Sequence, residues 1–233
     1  MKARLQHITF TGIDEKTDIQ ALCDIQKEYP VAEFGVLISQ RWEENGNRYM
    51  NPSNLANLAG TGLRLSCHAC GKVAREALNN NWTPLMDITK GYLSVFNRCQ
   101  LNVSTYPPAK NTKSLQVPQL ISEVIIQQKD PERLEVFNTI EDKTHISVLL
   151  DASGGHGVDT SIAVYNNPSV KVGYAGGISP LNVEEKLSYL LEHEGVSNFW
   201  IDMESGVRTV DWFDLNKVLK VLQICKRVLE SHS

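Results

Sequence analysis

Eight short stretches of the chain are apolar or β-branched at alternate positions or in unbroken runs, and helical spacing or a polar loop follows each. They read as strands over His7–Gly12, Ala32–Ile38, Leu63–Cys67, Arg98–Asn102, Glu123–Gln127, Ile146–Asp151, Lys171–Ala175 and Phe199–Met203. The first helix runs through Ile19, Leu22 and Ile25 to Tyr29, with Thr17 or Asp18 as its cap and Pro30 as its stop. Further helices are predicted near Pro52–Leu58, over Gly71–Leu78, and over Pro131–Ile140 behind an Asp130 cap. An additional helical piece lies between Met86 and Phe96. Leu215, Val218, Leu219, Leu222 and Val228 place one apolar stripe on a closing helix over Phe213–Leu229. A repeating strand–helix order of this kind is α/β, and with no repeat of solenoid length it favours a closed parallel barrel over an open sheet. Periodicity alone does not decide closure. No linker divides residues 1–233, so one domain is expected.

Composition narrows the class of partner. The net charge is −4 and the basic residues are scattered, which leaves no footprint for nucleic acid. No apolar run approaches the ~18 residues of a membrane span, and the opening Met-Lys-Ala-Arg-Leu-Gln-His lacks the apolar core of a signal peptide. Five cysteines at irregular spacing (Cys23, Cys67, Cys70, Cys99, Cys225) do not make a secreted disulfide framework. The expectation is a cytoplasmic protein, monomer or homodimer, acting on a small molecule without nucleic acid or membrane.

The chemistry concentrates after the last three strands. Gly176-Gly177 lets backbone approach an anion, and Pro180-Leu-Asn-Val-Glu-Glu opens a helix whose positive end would face the same spot. Ser205-Gly206-Val207 offers a second backbone nest after the next strand. Either pair taken alone could be a tight turn; two nests on adjacent strand ends point to a phosphate site.

The runs Leu-Leu-Asp151-x-x-Gly154-Gly155-x-Gly157, Ala-Gly-Gly-Ile-Ser-Pro-Leu-Asn-Val183 and Ile-Asp-Met-Glu-Ser-Gly-Val207 resemble the C-terminal half of phosphoribosylanthranilate isomerase. There the family reads Leu-Leu-Asp with a Gly-Gly-x-Gly loop, Ala-Gly-Gly-Leu-x-Pro-x-Asn-Val, and Val-Asp-Val-Ser-Ser-Gly-Val-Glu. The resemblance implies a (β/α)8 TIM barrel and an Amadori rearrangement of an N-(5-phosphoribosyl) compound, the tryptophan-biosynthesis type, with no metal and no cofactor. It also implies phosphate contacts at Gly176, Gly177, Ser205 and Gly206, with Gly154 and Gly155 nearby, and Asp151 as the general acid. To donate a proton near neutral pH, Asp151 would need a pKa well above the reference of about 3.9. Its other possible role is to cap the glycine loop.

The first strand departs from the family. Where the family has Lys-Ile-Cys-Gly-Ile-Thr, with the Cys as general base, this chain has Thr9-Phe-Thr11-Gly12-Ile13-Asp14. A thiol with a pKa near 8.5 can be tuned toward neutral, whereas the Thr11 hydroxyl cannot serve as a free base. Asp14 is one candidate substitute; Cys67, His68 and Cys70 at the third strand are others. Cys67-His68-Ala69-Cys70 is a weak zinc pattern and reads better as packed thiols. Arg48 stands where the family Arg meets the anthranilate carboxylate, and Asn102 where the family has His. Asp202 matches the family's strand Asp, with a structural or pocket-polar role expected rather than proton transfer, and His156 could contact a ligand but reads better as exposed. The rival reading is a phosphosugar-binding barrel, with lyase or aldolase chemistry or with none, acting as a sensor.

Overall fold

The computed structural model describes residues 3–44, 46–103, 112–129, 134–154, 156–165, 167, 169–193 and 198–232. Eight parallel strands, β1 (Arg4–Thr11), β2 (Ala32–Ile38), β3 (Leu65–Cys70), β4 (Arg98–Asn102), β5 (Glu123–Gln128), β6 (Ile146–Asp151), β7 (Val172–Ala175) and β8 (Asn198–Met203), pair in chain order. The ring closes because β1 also pairs with β8, where Thr9 lies opposite Asp202. A closed sheet has no edge, and each strand buries both faces.

The two faces differ in chemistry. Ile8, Phe10, Phe34, Val36, Val148, Leu150, Phe199 and Ile201 belong to the main apolar core, which the outer helices complete. The alternate positions point inward, because successive side chains of a strand take opposite faces. Low in the lumen, Arg98 grips Glu33 through Nε at 3.0 Å, and its guanidinium lies 4.6 Å from the Trp200 ring centroid. Ile125, Leu149 and Trp200 form a separate apolar plug. Two glycines make room for this filling: a Cβ on Gly173 would collide with the Trp200 indole, and one on Gly35 with Thr11 and His68.

Around the barrel run α1 (Ile19–Glu28), α2 (Lys72–Leu78), α3 (Thr83–Ile88), α4 (Glu135–Thr139), α5 (Val183–Glu192) and α6 (Leu215–Ser231). Asp18 caps α1 by accepting from the Ala21 N–H, and Asp214 caps α6 through Asn216 and Lys217. Several predicted boundaries shift. The third strand starts at Leu65 and continues to Cys70, because polar side chains after Cys67 do not end a strand that faces a barrel lumen. Pro52–Leu58 forms a 3-10 helix, and the extra piece divides into α3 and a 3-10 turn over Tyr92–Val95. Asp130 and Pro131 lie outside the described residues; among the described residues the helix expected there spans Glu135–Thr139. Among the described residues no helix follows β6; an irregular segment continues toward β7. No helix is long and apolar enough to cross a membrane.

Candidate active site

A cavity of about 420 Å³ opens at the C-terminal ends of the strands. Thr11, Arg48, Asn102, Asp151, Gly154, Gly176, Gly177, Ser205 and Gly206, all predicted site residues, line it. Asp14 does not, and Gly155 lies outside the described residues.

The β7 and β8 loops form one wall. Gly176 and Gly177 have φ of 114° and 66°, values that exclude most other residues. A Cβ on Gly206 would run into the Ile178 carbonyl oxygen, so the two loops can touch only because that side chain is missing. Among the described residues the N–H groups of Gly177, Ile178, Ser205 and Gly206 donate to no protein acceptor, which leaves four donors at the wall. The expected contribution of the α5 terminus is corrected: α5 begins only at Val183, whose N–H is taken by the Ser179 carbonyl, and it does not line the cavity. A 3-10 turn over Ser205–Val207 takes the place beside the loops.

Asp151 closes β6 and is buried. Its Oδ1 accepts from the Ser153 hydroxyl at 2.6 Å and the Ser153 N–H at 3.1 Å, and its Oδ2 accepts from Gln127 Nε2 at 2.9 Å. The same carboxyl therefore caps the glycine loop and faces the cavity.

The floor is a polar chain. Gln100 Nε2 donates to His68 Nδ1 at 3.1 Å, which puts the imidazole proton on Nε2. That nitrogen faces Ser66 Oγ at 3.0 Å and Thr11 Oγ1 at 3.4 Å. Thr11 in turn donates to Asp202 Oδ1 at 2.7 Å. Burial lowers His68 to about 3, so it is neutral and a poor base. Burial raises Asp202 to about 7 against the Thr11 hydrogen bond, with Glu204, Glu33 and Asp151 adding to the rise. Burial also pushes the Cys70 thiol up to about 11 and moves the Tyr49 phenol upward.

Two sequence expectations change here. Asp14 is bound into structure: Arg208 Nη2 reaches it at 3.1 Å and the Phe213 N–H at 2.6 Å, while Lys16 N–H and Thr17 also donate to it. Arg48 is held by Glu204 at 2.9 Å and Asp211 at 2.7 Å, so a ligand carboxylate would have to displace an existing pair. Asn102 sits at the rim, accepting from Gln100 at 2.9 Å and donating to Cys70 Sγ at 3.6 Å. Cys67 and Cys70, three apart on one strand, take opposite faces: Cys67 is sealed opposite Cys99, and Cys70 lines the cavity. Among the described residues no group of three or more His, Cys, Asp or Glu side chains could hold a metal. Sequence reasoning missed the Asp202–Thr11–His68 chain and the Glu204 partner of Arg48; Glu204, standing where the family run has Ser, was the available signal.

Residues 111–224 match the family model described as N-(5'phosphoribosyl)anthranilate (PRA) isomerase. Among solved structures, the phosphoribosyl anthranilate isomerase of Thermococcus kodakaraensis is 16% identical, covers 95% of this chain and 99% of its own, and superposes with a TM-score of 0.56. The Pyrococcus furiosus N-(5'-phosphoribosyl)anthranilate isomerase gives 16%, the same coverages and 0.59. The spore coat polysaccharide biosynthesis protein spsE of Bacillus subtilis gives 11%, 98% and 70% coverage, and 0.51. At these identities the structural likeness speaks for the fold. No curated protein sequence matches the chain. Residues 111–224, the segment that carries Asp151 and both glycine loops and just under half of the chain, are similar to the phosphoribosylanthranilate isomerase family.

Proposed function

We propose that this protein is an isomerase of the phosphoribosylanthranilate isomerase type, converting an N-(5-phosphoribosyl) aminoaldose to the aminoketose by an Amadori rearrangement. The observation that carries this reading is Asp151 at the end of β6, facing a cavity walled by two glycine loops, all within the segment matched by the family model. The wall would take the phosphate through neutral N–H donors, which suits a rim that already holds Asp151, Asp202 and Glu204. Asp151 would give a proton to the ring oxygen as the sugar opens to the iminium. Thr11 is not the base. Its hydroxyl ionises far above neutral pH and already donates to Asp202.

Turnover of freshly prepared phosphoribosylanthranilate, followed by its fluorescence, tests the proposal. Wild-type protein should convert it, and Asp151→Asn should lose about 10²-fold or more in kcat, the usual weight of one acid–base group. Equal phosphate-ligand affinity in the two proteins with no turnover in either would instead identify a phosphosugar-binding barrel.

A further inference from the structure

A rearrangement that loses its first-strand thiol still needs a base for the proton on the sugar carbon next to the iminium. Of the ionisable side chains lining the cavity, Arg48 stays a cation, and the Tyr49 phenol and Cys70 thiol stay protonated near neutral pH because burial raises both. His68 lies in the floor, but burial lowers it to about 3, which makes it a poor base, and its Nδ1 is taken by Gln100. Glu204 is held by Arg48, and Asp151 is placed for the acid role. One carboxylate is left.

We propose that Asp202 is the general base of this enzyme and that Thr11, the residue in place of the thiol, positions it. The inference rests on the isomerase reading above. Asp202 projects inward from β8 beside Thr11 of the neighbouring β1. Thr11 fixes its Oδ1 at 2.7 Å, and among the described residues no hydrogen bond occupies Oδ2. Gly35 leaves the space that lets Thr11 and His68 meet, so the hydroxyl is steered toward the carboxylate from behind. Asp151 stands two strands away, roughly 10 Å along the rim at ordinary strand spacing. The two carboxyls thus flank the sugar from different sides.

The proton balance closes without a further reagent. Asp151 protonates the ring oxygen as the bond from C1 to that oxygen breaks, and the nitrogen lone pair forms the C=N bond of the iminium. Asp202 takes the C2 proton, the C–H electrons become the C1=C2 bond, and the C=N π electrons return to nitrogen. The enolamine then ketonises: its hydroxyl proton leaves and C1 gains one. Substrate and product are isomers, and solvent returns one proton to Asp151 and removes one from Asp202.

Groups that set the charge on Asp202 come from every side: Glu33 from β2, His68 from β3, Arg98 from β4, Asp151 from β6, and Glu204 at the end of β8. Burial places it near neutral, about 7, where a base removes protons effectively. The Thr11 hydrogen bond favours the charged form, so its loss moves the titration upward.

The experiment measures kcat/KM against pH with phosphoribosylanthranilate for wild type, Asp202→Asn and Thr11→Val, with inorganic phosphate affinity and thermal melting as checks on fold and site. The wild-type profile should rise through a pKa of about 7. Asp202→Asn should bind phosphate as wild type does and lose about 10²–10⁴-fold in kcat. Thr11→Val should stay active, with the acid limb displaced upward by about one pH unit, the scale of one hydrogen bond. Activity of Asp202→Asn within tenfold of wild type, or an unmoved limb in Thr11→Val, overturns the assignment and leaves the isomerase reading standing. A wild-type protein that binds phosphate but never converts the substrate overturns both.

Discussion

At the scale of residues, Thr11 and Asp14 show how far a motif register reaches. The run Thr9-Phe-Thr11-Gly12-Ile13-Asp14 locates the end of β1 correctly, and Thr11 lies on the cavity. Asp14, three residues later, turns away to meet Arg208, which is 194 positions distant in the chain and also donates to the Gly12 carbonyl. No local pattern encodes such a partner. Both side chains are buried, so removing one leaves the other without compensation. Asp14→Asn is therefore expected to cost stability, about 3–5 kcal/mol in urea unfolding at neutral pH, and to leave kcat of the folded fraction within a few-fold of wild type. A variant that melts normally and yet loses turnover would return Asp14 to the catalytic machinery.

At the scale of elements, the loops after β2 and β8 have been joined across the mouth. Arg48 arrives on a 3-10 turn over Gly46–Arg48 and pairs with Glu204 and Asp211 from the far side of the barrel closure. The family run has Ser where Glu204 stands, so the resemblance assigned Arg48 a ligand carboxylate that the folded chain replaces with its own. Glu204→Ser should release one partner of Arg48 and lower KM for phosphoribosylanthranilate several-fold, with kcat little changed, because the contact is made equally in substrate and transition state. An unchanged KM would mean that Asp211 alone holds Arg48 away from the ligand. The β7 loop was partly legible: Gly176 and Gly177 signal a close backbone approach. The α5 terminus was not, because Ser179 and Asn182 close the intervening turn on themselves, with Asn182 accepting the Ser179 N–H at 2.8 Å.

At the scale of the whole molecule, a lumen filled with ionisable groups makes stability depend on pH. His68, lowered by burial to about 3, binds a proton in the unfolded chain near 6.5 but not in the folded one. Stability from His68 is thus complete above 6.5 and falls as pH drops toward 3. His7, lowered by burial to about 4, acts in the same sense. Glu33 is raised by burial but brought down overall to about 2 by Arg98, so its contribution is complete above 4.5 and lost as pH falls toward 2. Asp202 works the other way: raised to about 7, it takes a proton in the folded chain before the unfolded one does, and offsets part of the decline between 7 and 4. Urea midpoints from pH 7 to 5 should show a steeper acid decline in Asp202→Asn than in wild type, by about 1.4 kcal/mol per pH unit, and a shallower one in His68→Gln. Parallel curves for wild type and Asp202→Asn would show that its carboxyl is not raised.

The succession of strands, the α/β class and the position of the Asp151 and glycine motifs are legible in the residues alone, because alternation and turn chemistry are local and a strand carries its period in its own residues. The sequence did not determine which polar residues of a strand meet in the lumen. That depends on closing β1 against β8, which brings Thr11 to Asp202 across 191 positions, and on the vacant space at Gly35 that admits His68. Closure also decided that Asp14 and Arg48 find protein partners and that a buried carboxylate titrates near neutral. Burial, neighbouring charge and hydrogen-bond partners set that behaviour, and all three arise only when distant strands share one interior.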